Sequence, residues 1–273
     1  MNYSHAFHAG NFADLVKHAV LLQLLAEARQ DTAALVVLDT HAGRGLYDLT
    51  GPEARRSGEA EAGIGRLMVV RDAPGEFAPL VAAVKRLNPG GGLARYPGSP
   101  WLVAEALRPQ DSYVGWELRH SEHAALAKAL KGRPNVEVRQ ADGFAGVVEL
   151  CPRRGRALVL IDPPFERGDD YARAVAVTAG LVTRNPAAQV VVWLPLKDLE
   201  TFDAFLRDLE AATDAPVLVG EMRMRPLDDP MRMNGCALAL VGVGARITGA
   251  LSPICQWTAE TLGKNGAARV YSV

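Results

Sequence analysis

Cysteine is scarce in this chain, and its placement excludes a disulfide framework. The 273 residues include only three cysteines, Cys151, Cys236 and Cys255. They are odd in number, far apart in sequence and in no spacing that metal sites use. This pattern favours reduced thiols, so we expect the protein to work in the cytoplasm.

Strong charge of one sign and long apolar runs are also missing. The formal net charge of -1 argues against a surface that attracts nucleic acid everywhere, and confines such contacts to local patches. Candidate patches are Arg55 with Arg56, then Arg153, Arg154 and Arg156, and finally Arg223, Arg225 and Arg232. No stretch approaches the roughly 18 apolar residues of a membrane helix, and residues 1–8 lack a signal-peptide pattern. We therefore expect neither export nor contact with a membrane.

A complete dinucleotide-binding fingerprint is absent as well. The turn after the first predicted strand reads Ala42-Gly43-Arg44-Gly45, so backbone can approach a small ligand closely there. The third glycine of Gly-x-Gly-x-x-Gly is replaced by Asp48. A nicotinamide cofactor is therefore disfavoured.

The chain does contain a regular alternation of apolar strands and helical segments. A helix is predicted over residues 14–29. Strands are predicted at residues 33–38, 112–116, 136–139, 157–161 and 189–194, with later candidates at 217–221 and 236–243. This alternation predicts an α/β fold, in which a doubly wound parallel sheet carries helices on both faces.

The step between the first two strands is too long for a plain fold of this class. Asp39 and Glu117, which follow those strands, are separated by far more than the roughly 20 residues that the step normally takes. We assign the excess to a small helical subdomain at residues 47–96, inserted in a single domain that spans residues 1–273. Helical patches within it are predicted at residues 59–70 and 77–87.

A core helix is expected to resume after the Pro97-Gly98-Ser99-Pro100 segment. Ser99 is predicted as the N-cap of this helix, because a serine side chain can accept from the first free N–H groups. Pro100 would then take the first helical position, which tolerates proline.

The fourth strand ends in the most informative motif. Its apolar residues stop at Asp162-Pro163-Pro164-Phe165, where the prolines end the strand ladder because they lack backbone donors. Asp162 therefore lies at the carboxyl end of a strand, where open α/β sheets bind ligands. The Asp162 carboxylate and the Pro163 carbonyl can accept both hydrogens of a nucleobase amino group, and Phe165 can stack on a flipped base. A proline turn with a buried phenylalanine would give the same four residues.

Other predicted strands also end in acids. Glu117 is suited to accept hydrogen bonds from both hydroxyls of a ribose, and Asp142 from the amino group of an adenine. Asp39 or Asp142 alone would equally suit the N-cap of a helix. Four acids in this order, followed by Pro-Pro-Phe, instead describe a site for S-adenosylmethionine.

The N-terminal region is rich in histidine. His5, His8, His18 and His41 precede the second predicted strand, but they lack the paired spacings of zinc sites, so we expect no metal. Residues 8–11, with Lys17 and His18, are expected to fold across the cofactor and substrate pocket. Tyr3 and Phe7 would then be available to touch a base. A frayed tail followed by an ordinary helix is the alternative.

Taken together, these segments resemble the RlmJ family, bacterial methyltransferases that act on adenine N6 of 23S ribosomal RNA. The resemblance is carried by Tyr3-Ser4-His5, Phe7-His8-Ala9-Gly10-Asn11, Lys17-His18, Leu38-Asp39-Thr40-His41-Ala42-Gly43, Tyr96-Pro97-Gly98-Ser99-Pro100, Glu117, Ala141-Asp142-Gly143-Phe144 and Ile161-Asp162-Pro163-Pro164. It runs from the first residues to beyond Asp162 and is loose over roughly the last 80 residues. It implies a Rossmann-like class I S-adenosylmethionine-dependent methyltransferase that modifies a specific adenine of 23S ribosomal RNA.

The resemblance also implies roles for individual residues. Those that would line the cofactor site are His18, His41, Ser99, Glu117, Asp142 and Gly143. Asp162 would be the catalytic acceptor, and Tyr3 would contact the RNA. We add Lys17, Pro163 and Phe165 to the substrate side, and we expect a monomer. Phe165 departs from the family, which commonly has tyrosine there, so a hydroxyl contact would be lost while stacking is kept.

Three other functions use the same chemistry or fold. A DNA adenine-N6 methyltransferase is disfavoured by the N-terminal signature and by the lack of a DNA-reading domain. A methyltransferase for protein glutamine typically carries asparagine where Asp162 stands. A non-catalytic RNA-binding factor with a methyltransferase fold would not need the complete set of acids.

Overall fold

A computed structural model describes residues 7–227 and 233–273 of the protein. The strands in these ranges are β1 (Leu35–Asp39), β2 (Leu46–Asp48), β3 (Arg95–Pro97), β4 (Ser112–Trp116), β5 (Val136–Arg139), β6 (Arg156–Ile161), β7 (Ala188–Leu196), β8 (Val217–Arg223), β9 (Gly235–Val241) and β10 (Ala267–Ser272). The α-helices are α1 (Phe12–Ala28), α2 (Pro52–Ser57), α3 (Arg66–Val69), α4 (Ala78–Leu87), α5 (Ser99–Ala106), α6 (His120–Ala129), α7 (Gly143–Leu150), α8 (Asp170–Arg184), α9 (Leu199–Ala212) and α10 (Ala245–Leu262).

Eight strands form one sheet in the order β10-β8-β9-β7-β6-β1-β4-β5, while β2 pairs only with β3. Five neighbouring strands of this sheet, β7, β6, β1, β4 and β5, run parallel to one another. Strand β9 is antiparallel to both β7 and β8, and β10 is antiparallel to β8. The predicted α/β fold is confirmed, but the prediction of an entirely parallel sheet was wrong. Residues 224–234, which join β8 to β9, are too few for the crossover of a dozen or more residues that a parallel pair needs.

Strand β6 shows how the two faces of the sheet are filled. Leu158 and Leu160 lie in the apolar cluster that contains α1 and α10, whereas Val159 and Ile161 lie in the cluster of α7, α8 and α9. Successive side chains of a strand point to opposite faces. A strand covered on both faces therefore needs the continuous apolar run that precedes Asp162.

Helix α1 packs against α10, α5 and α4, and so lies between the sheet and the region inserted after β1. The Asn11 side chain begins the helix by accepting from the backbone N–H groups of Ala13 and Asp14, at 3.0 and 3.1 Å. This enclosure buries polar residues as well as apolar ones. Asp14, Lys17 and His18 are 1%, 4% and 1% exposed, so each needs a polar partner inside the protein.

Residues 47–96 contain helices close to the predicted patches. They comprise α2, a π-helical turn (Glu61–Gly65) that continues into α3, and a 3-10 turn (Gly75–Phe77) that leads into α4. Ile64, Phe77 and Leu80 from this region share an apolar cluster with α1. The assignment of the region as an inserted subdomain stays a prediction.

The prediction that Ser99 caps the helix after this region was wrong. Helix α5 begins at Ser99 itself, Gly98 is the N-cap residue, and no side chain caps the helix. The Ser99 hydroxyl instead donates to Oδ2 of Asp39 at 2.8 Å. Burial raises the pKa of the Asp39 carboxyl to about 6. A buried acid thus takes the hydroxyl that sequence reasoning assigned to the helix end.

Replacing Ser99 by alanine is expected to destabilise the protein more at about pH 8 than at about pH 5. In the folded state Asp39 keeps its proton up to about pH 6, because its pKa is raised to about 6 from the ordinary value of 3.8. Stability therefore falls as pH rises through this window, where only the unfolded chain has already ionised. Without the Ser99 hydroxyl, the ionised Asp39 carboxylate costs the folded state about 1 to 3 kcal/mol more. Urea unfolding at both pH values measures the difference.

Ser121→Ala is the matched control, because Ser121 is exposed on α6. It should change stability little at either pH. An equal loss at both pH values in Ser99→Ala would contradict the role of Ser99 as a donor to Asp39.

Candidate active site

A cavity of about 760 Å³ opens at the carboxyl ends of the parallel strands. This is the edge where open α/β sheets bind ligands. The predicted site residues that line it are Lys17, His18, His41, Ser99, Glu117, Asp142, Gly143, Asp162, Pro163 and Phe165. Tyr3 and Arg232 lie outside the described residues. The fold thus brings together residues from distant parts of the sequence, and their individual roles stay predictions.

The loop after β1 fixes Glu117. Gly43 has a φ of 63°, and a Cβ on it would lie 2.5 Å from the Tyr47 hydroxyl, so only glycine fits. Its N–H donates to Oε2 of Glu117 at 3.1 Å, and the N–H of Arg119 donates to Oε1 at 2.7 Å. Burial raises the pKa of Glu117 despite these donors. Each carboxylate oxygen has a second lone pair that can accept from a ligand hydroxyl.

Asp142 has two partners within the protein. Its Oδ1 accepts from the N–H of Phe144 at 3.0 Å and so caps α7, while Oδ2 accepts from Arg173 at 2.5 Å. Burial acts to raise the pKa of Asp142, but Arg173 outweighs it and the pKa lies below the ordinary value. Gly143 follows at a point where a Cβ would lie 2.1 Å from the carbonyl oxygen of Thr40. Glycine is therefore required where α7 approaches the end of β1.

His41 is held as a neutral imidazole. Burial lowers its pKa to about 4. The Thr40 hydroxyl lies 3.2 Å from the Leu160 carbonyl oxygen and 2.7 Å from Nδ1 of His41, and so holds the ring beside the end of β1.

His18 joins α1 to the inserted region. Its Nδ1 lies 2.8 Å from the Tyr96 hydroxyl, and the two rings stack with centroids 5.5 Å apart. Burial raises the pKa of Tyr96 well above its ordinary value, so the hydroxyl keeps its proton. Tyr96 therefore fixes the orientation of the imidazole at the cavity wall.

Asp162 is held by a buried ammonium group. Lys17 Nζ lies 2.5 Å from Oδ2 of Asp162 and 3.0 Å from Oδ1 of Asp14. Burial alone would lower the pKa of Lys17, but the two carboxylates raise it well above its ordinary value. One cation between two carboxylates leaves this part of the cavity with a net negative charge. The sequence predicts that Lys17 belongs to the substrate-binding residues. In the structure its ammonium group contacts Asp162, the predicted catalytic residue.

Phe165 is more enclosed than its predicted stacking role requires. The residue has a φ of 50°, which is unusual for a bulky side chain, and it is 6% exposed. Its ring packs against Tyr171 and Trp193, with centroid distances of 4.5 and 6.1 Å. Little of the ring faces the cavity, so its stacking on a base stays a prediction.

Sequence reasoning missed several residues of the cavity. Asp14, Leu118, Arg173 and Trp193 all line it. Leu118 directly follows Glu117 and is 61% exposed, which suits contact with a flat apolar ring. Leu118 could have been predicted as a cavity residue because it directly follows Glu117. Arg173 and Trp193 lie on later elements, and no local pattern links them to the site.

The described ranges contain no group of three or more His, Cys, Asp or Glu residues that could hold a metal ion. None of the helices described in these ranges is long and apolar enough to cross a membrane. Cys151, Cys236 and Cys255 are free thiols, and all three are buried.

Comparisons with known proteins identify the family of the chain. A family model described as Ribosomal RNA large subunit methyltransferase D, RlmJ matches residues 32–273. Ribosomal RNA large subunit methyltransferase J of Haemophilus influenzae is 34% identical over 268 residues, covering 97% of this chain and 95% of that protein. The Escherichia coli protein of the same name is 32% identical over 258 residues, covering 94% and 92%.

Among solved structures, a crystal structure of a Legionella pneumophila protein is similar over the whole fold. The TM-score is 0.88 at 28% identity, and the match covers 97% of this chain and 98% of that one. The family match spans most of the sequence, and the relatives exceed 30% identity over nearly their full length. The chain therefore belongs to the RlmJ family of ribosomal RNA large subunit methyltransferases.

Proposed function

We propose that the protein transfers a methyl group from S-adenosylmethionine to N6 of a specific adenine in 23S ribosomal RNA. The observation that carries the reaction is the Asp162-Pro163 pair at the end of β6, which faces the same cavity as Glu117 and Asp142. Family membership and the names of the relatives support ribosomal RNA as the substrate.

The residues present fit this cofactor. Glu117 would accept from the ribose hydroxyls and Asp142 from the adenine amino group, beside the exposed Leu118. Gly43 and Gly143 leave room for the backbone to approach. When bound, S-adenosylmethionine supplies a methyl group on a positively charged sulfur, which the amino nitrogen of the acceptor adenine attacks in line. The excess negative charge of the Asp14, Lys17 and Asp162 group is suited to that positive charge.

Asp162 acts mainly by orientation. Lys17 occupies its Oδ2 at 2.5 Å, which leaves Oδ1 to accept one hydrogen of the adenine amino group. The Pro163 carbonyl accepts the other. The nitrogen lone pair is otherwise delocalised into the ring, so holding both hydrogens aligns it for attack. Alignment of this kind can contribute about 7 to 11 kcal/mol to lowering the barrier.

The proton that leaves the nitrogen has a short route. After attack the nitrogen is strongly acidic, and the Asp162 carboxylate or water can take its proton. Lys17 keeps Asp162 in a fixed position throughout, because its ammonium group is enclosed and lies against both the Asp14 and Asp162 carboxylates. Lys17 is thus a positioning residue on the substrate side.

RNA outside the cavity is held by local basic residues. Arg55 and Arg56 are exposed on α2, and Arg153 and Arg154 are exposed before β6, so they are available to phosphates. Arg156 is partly used inside the protein, since it donates to the Ala28 carbonyl at 2.7 Å. Binding should weaken with salt by a log-log slope of about -0.7 to -0.9 per phosphate neutralised.

We further propose that the protein works as a monomer in the cytoplasm, without a metal ion. Residues 47–96 form an inserted helical subdomain of its single methyltransferase domain. Attack on the methyl group needs no Lewis acid, and the strand-end acids supply the polar contacts that binding requires. Ultracentrifugation and metal analysis of the active protein test the monomer and the absence of metal.

Transfer of labelled methyl to protein-free 23S RNA that lacks its native methylations tests the function. We expect N6-methyladenosine after nucleoside digestion with the parent protein. Asp162→Ala should abolish turnover, because the acceptor adenine loses the oxygen that orients its amino group. Affinity for S-adenosylhomocysteine, which lacks the positive charge on sulfur, should stay nearly unchanged. Asp169→Ala is the matched control, since Asp169 is exposed and pairs with Arg167.

Other results of that experiment would point elsewhere. Near-normal turnover in Asp162→Ala would refute its role. Methylation of DNA in preference to RNA would favour a DNA adenine methyltransferase. Failure to bind the cofactor in calorimetry would favour a non-catalytic RNA-binding factor.

Replacing Lys17 by methionine is expected to lower the free energy of unfolding by about 3 to 5 kcal/mol near pH 8, because the buried Asp14 and the partly buried Asp162 carboxylates lose their cation. The deficit should shrink toward about pH 5, since carboxylates without the ammonium take up protons more readily in the folded state. Guanidinium unfolding at both pH values measures this. Lys128→Met, at an exposed position of α6, should show neither effect, and a deficit independent of pH would contradict the argument.

A further inference from the structure

A continuous series of polar contacts joins the inserted region to Asp162. It begins at Glu59, directly before the π-helical turn. The Glu59 carboxylate accepts from Nδ2 of Asn11 at 2.9 Å and lies 3.0 Å from Nδ1 of His8. The hydrogen bond with Glu59 raises the pKa of His8. One side chain of the insert therefore holds two residues of the segment that leads into α1.

The series continues through the first turn of α1. The other end of the Asn11 amide, Oδ1, accepts from the N–H of Asp14 at 3.1 Å. Oδ2 of Asp14 accepts from the N–H of Gly10 at 2.9 Å, and Oδ1 of Asp14 lies 3.0 Å from Nζ of Lys17. Lys17 reaches Asp162. Backbone and side-chain contacts thus link Glu59 to Asp162 through the first turn of α1.

The backbone of the insert supports the same segment. The N–H of Ile64, inside the π-helical turn, donates to the carbonyl of Gly10 at 2.8 Å. A Cβ on Gly63 would lie 2.2 Å from that carbonyl oxygen, so glycine is required for the approach. A π-helical turn is rare and often occurs at functional sites. Here its N–H contacts Gly10, which lies between the cavity-lining residues His8 and Asn11.

Burial differs along the series. Lys17 and Asp14 are enclosed, with side chains 5% and 1% exposed, whereas the His8 and Glu59 side chains are each 36% exposed. The inner members are therefore part of the packed protein. The outer members lie near solvent and contribute little apolar contact, so a change at Glu59 can alter orientation without opening the core.

We propose that Glu59 is a positioning residue for the methyl transfer. By holding His8 and Asn11, it fixes the start of α1 in the arrangement that directs Lys17 to Asp162. Glu59 itself does not touch the acceptor adenine. This inference rests on the proposed catalytic role of Asp162, and it gives the inserted region a part in the chemistry as well as in the architecture.

The test compares Glu59→Gln with Glu61→Gln. Both remove one negative charge from the same stretch, but Glu61 is exposed and outside the series. Glutamine at position 59 replaces one carboxylate oxygen by an NH2 donor and removes the negative charge, although His8 Nδ1 lies close to both oxygens in the parent. We expect kcat for 23S RNA to fall between about 10- and 100-fold in Glu59→Gln, as for a small misplacement of reacting groups. KM for RNA, affinity for S-adenosylhomocysteine and Tm should match the parent and Glu61→Gln.

Two outcomes would overturn the inference. If kcat of Glu59→Gln equals that of Glu61→Gln, Glu59 does not position Asp162. If cofactor affinity and Tm fall together with kcat, Glu59 only stabilises the fold. His8→Gln provides a second variant should Glu59→Gln fail to fold. It should lose less of kcat than the Glu59 variant, because Asn11 keeps its contact, and parental kcat in His8→Gln would likewise count against the inference.

Asp162→Ala, measured in parallel, distinguishes failure of the positioning role of Glu59 from failure of the catalytic role of Asp162. An inactive Asp162→Ala together with a fully active Glu59→Gln rejects the positioning role and leaves the proposed function intact. An active Asp162→Ala rejects the catalytic role on which the series depends.

Discussion

The site depends on one buried ammonium group between two carboxylates. Lys17 is 4% exposed and is shared by Asp14, on its own helix, and Asp162, at the end of β6. Removing an ion from water costs several kcal/mol, and only close partners offset that cost. The helix, the strand end and the ammonium must therefore keep fixed relative positions. This requirement explains why α1 is enclosed on most sides by α10, α5 and α4.

The sequence predicts features whose residues lie close together along the chain better than contacts between residues that are far apart in it. The Asp162 motif at the end of β6, the bounds of β4 and β5, and helices within residues 47–96 are encoded in short contiguous stretches, and the structure contains them. Ser99 was misassigned because cap preference is local, while its real partner, Asp39, is remote in sequence. Arg173 and the contact of Lys17 with Asp162 were missed for the same reason. The antiparallel strands follow from a short connection whose length was visible but was not used.

The two halves of the cavity differ in how they are built. The half that holds the predicted cofactor residues Glu117 and Asp142 consists of backbone donors and single acids, with Gly43 and Gly143 at points where no side chain fits. The other half depends on a series of side chains that begins in the inserted region and ends at Asp162. A loop and a strand end can be kept by local sequence alone. The series instead joins residues 47–96, the segment before α1 and the end of β6, which are far apart in the sequence.

The burial of all three cysteines has a practical consequence. Thiols react with maleimides and similar reagents as thiolates, and burial raises the pKa of Cys236 to about 12 and that of Cys255 higher still. Cys151 is also enclosed, and its pKa is raised by burial. A cysteine introduced at an exposed position would therefore be the fast-reacting thiol of the folded protein. Fluorophores or spin labels can be attached there with the native cysteines left in place.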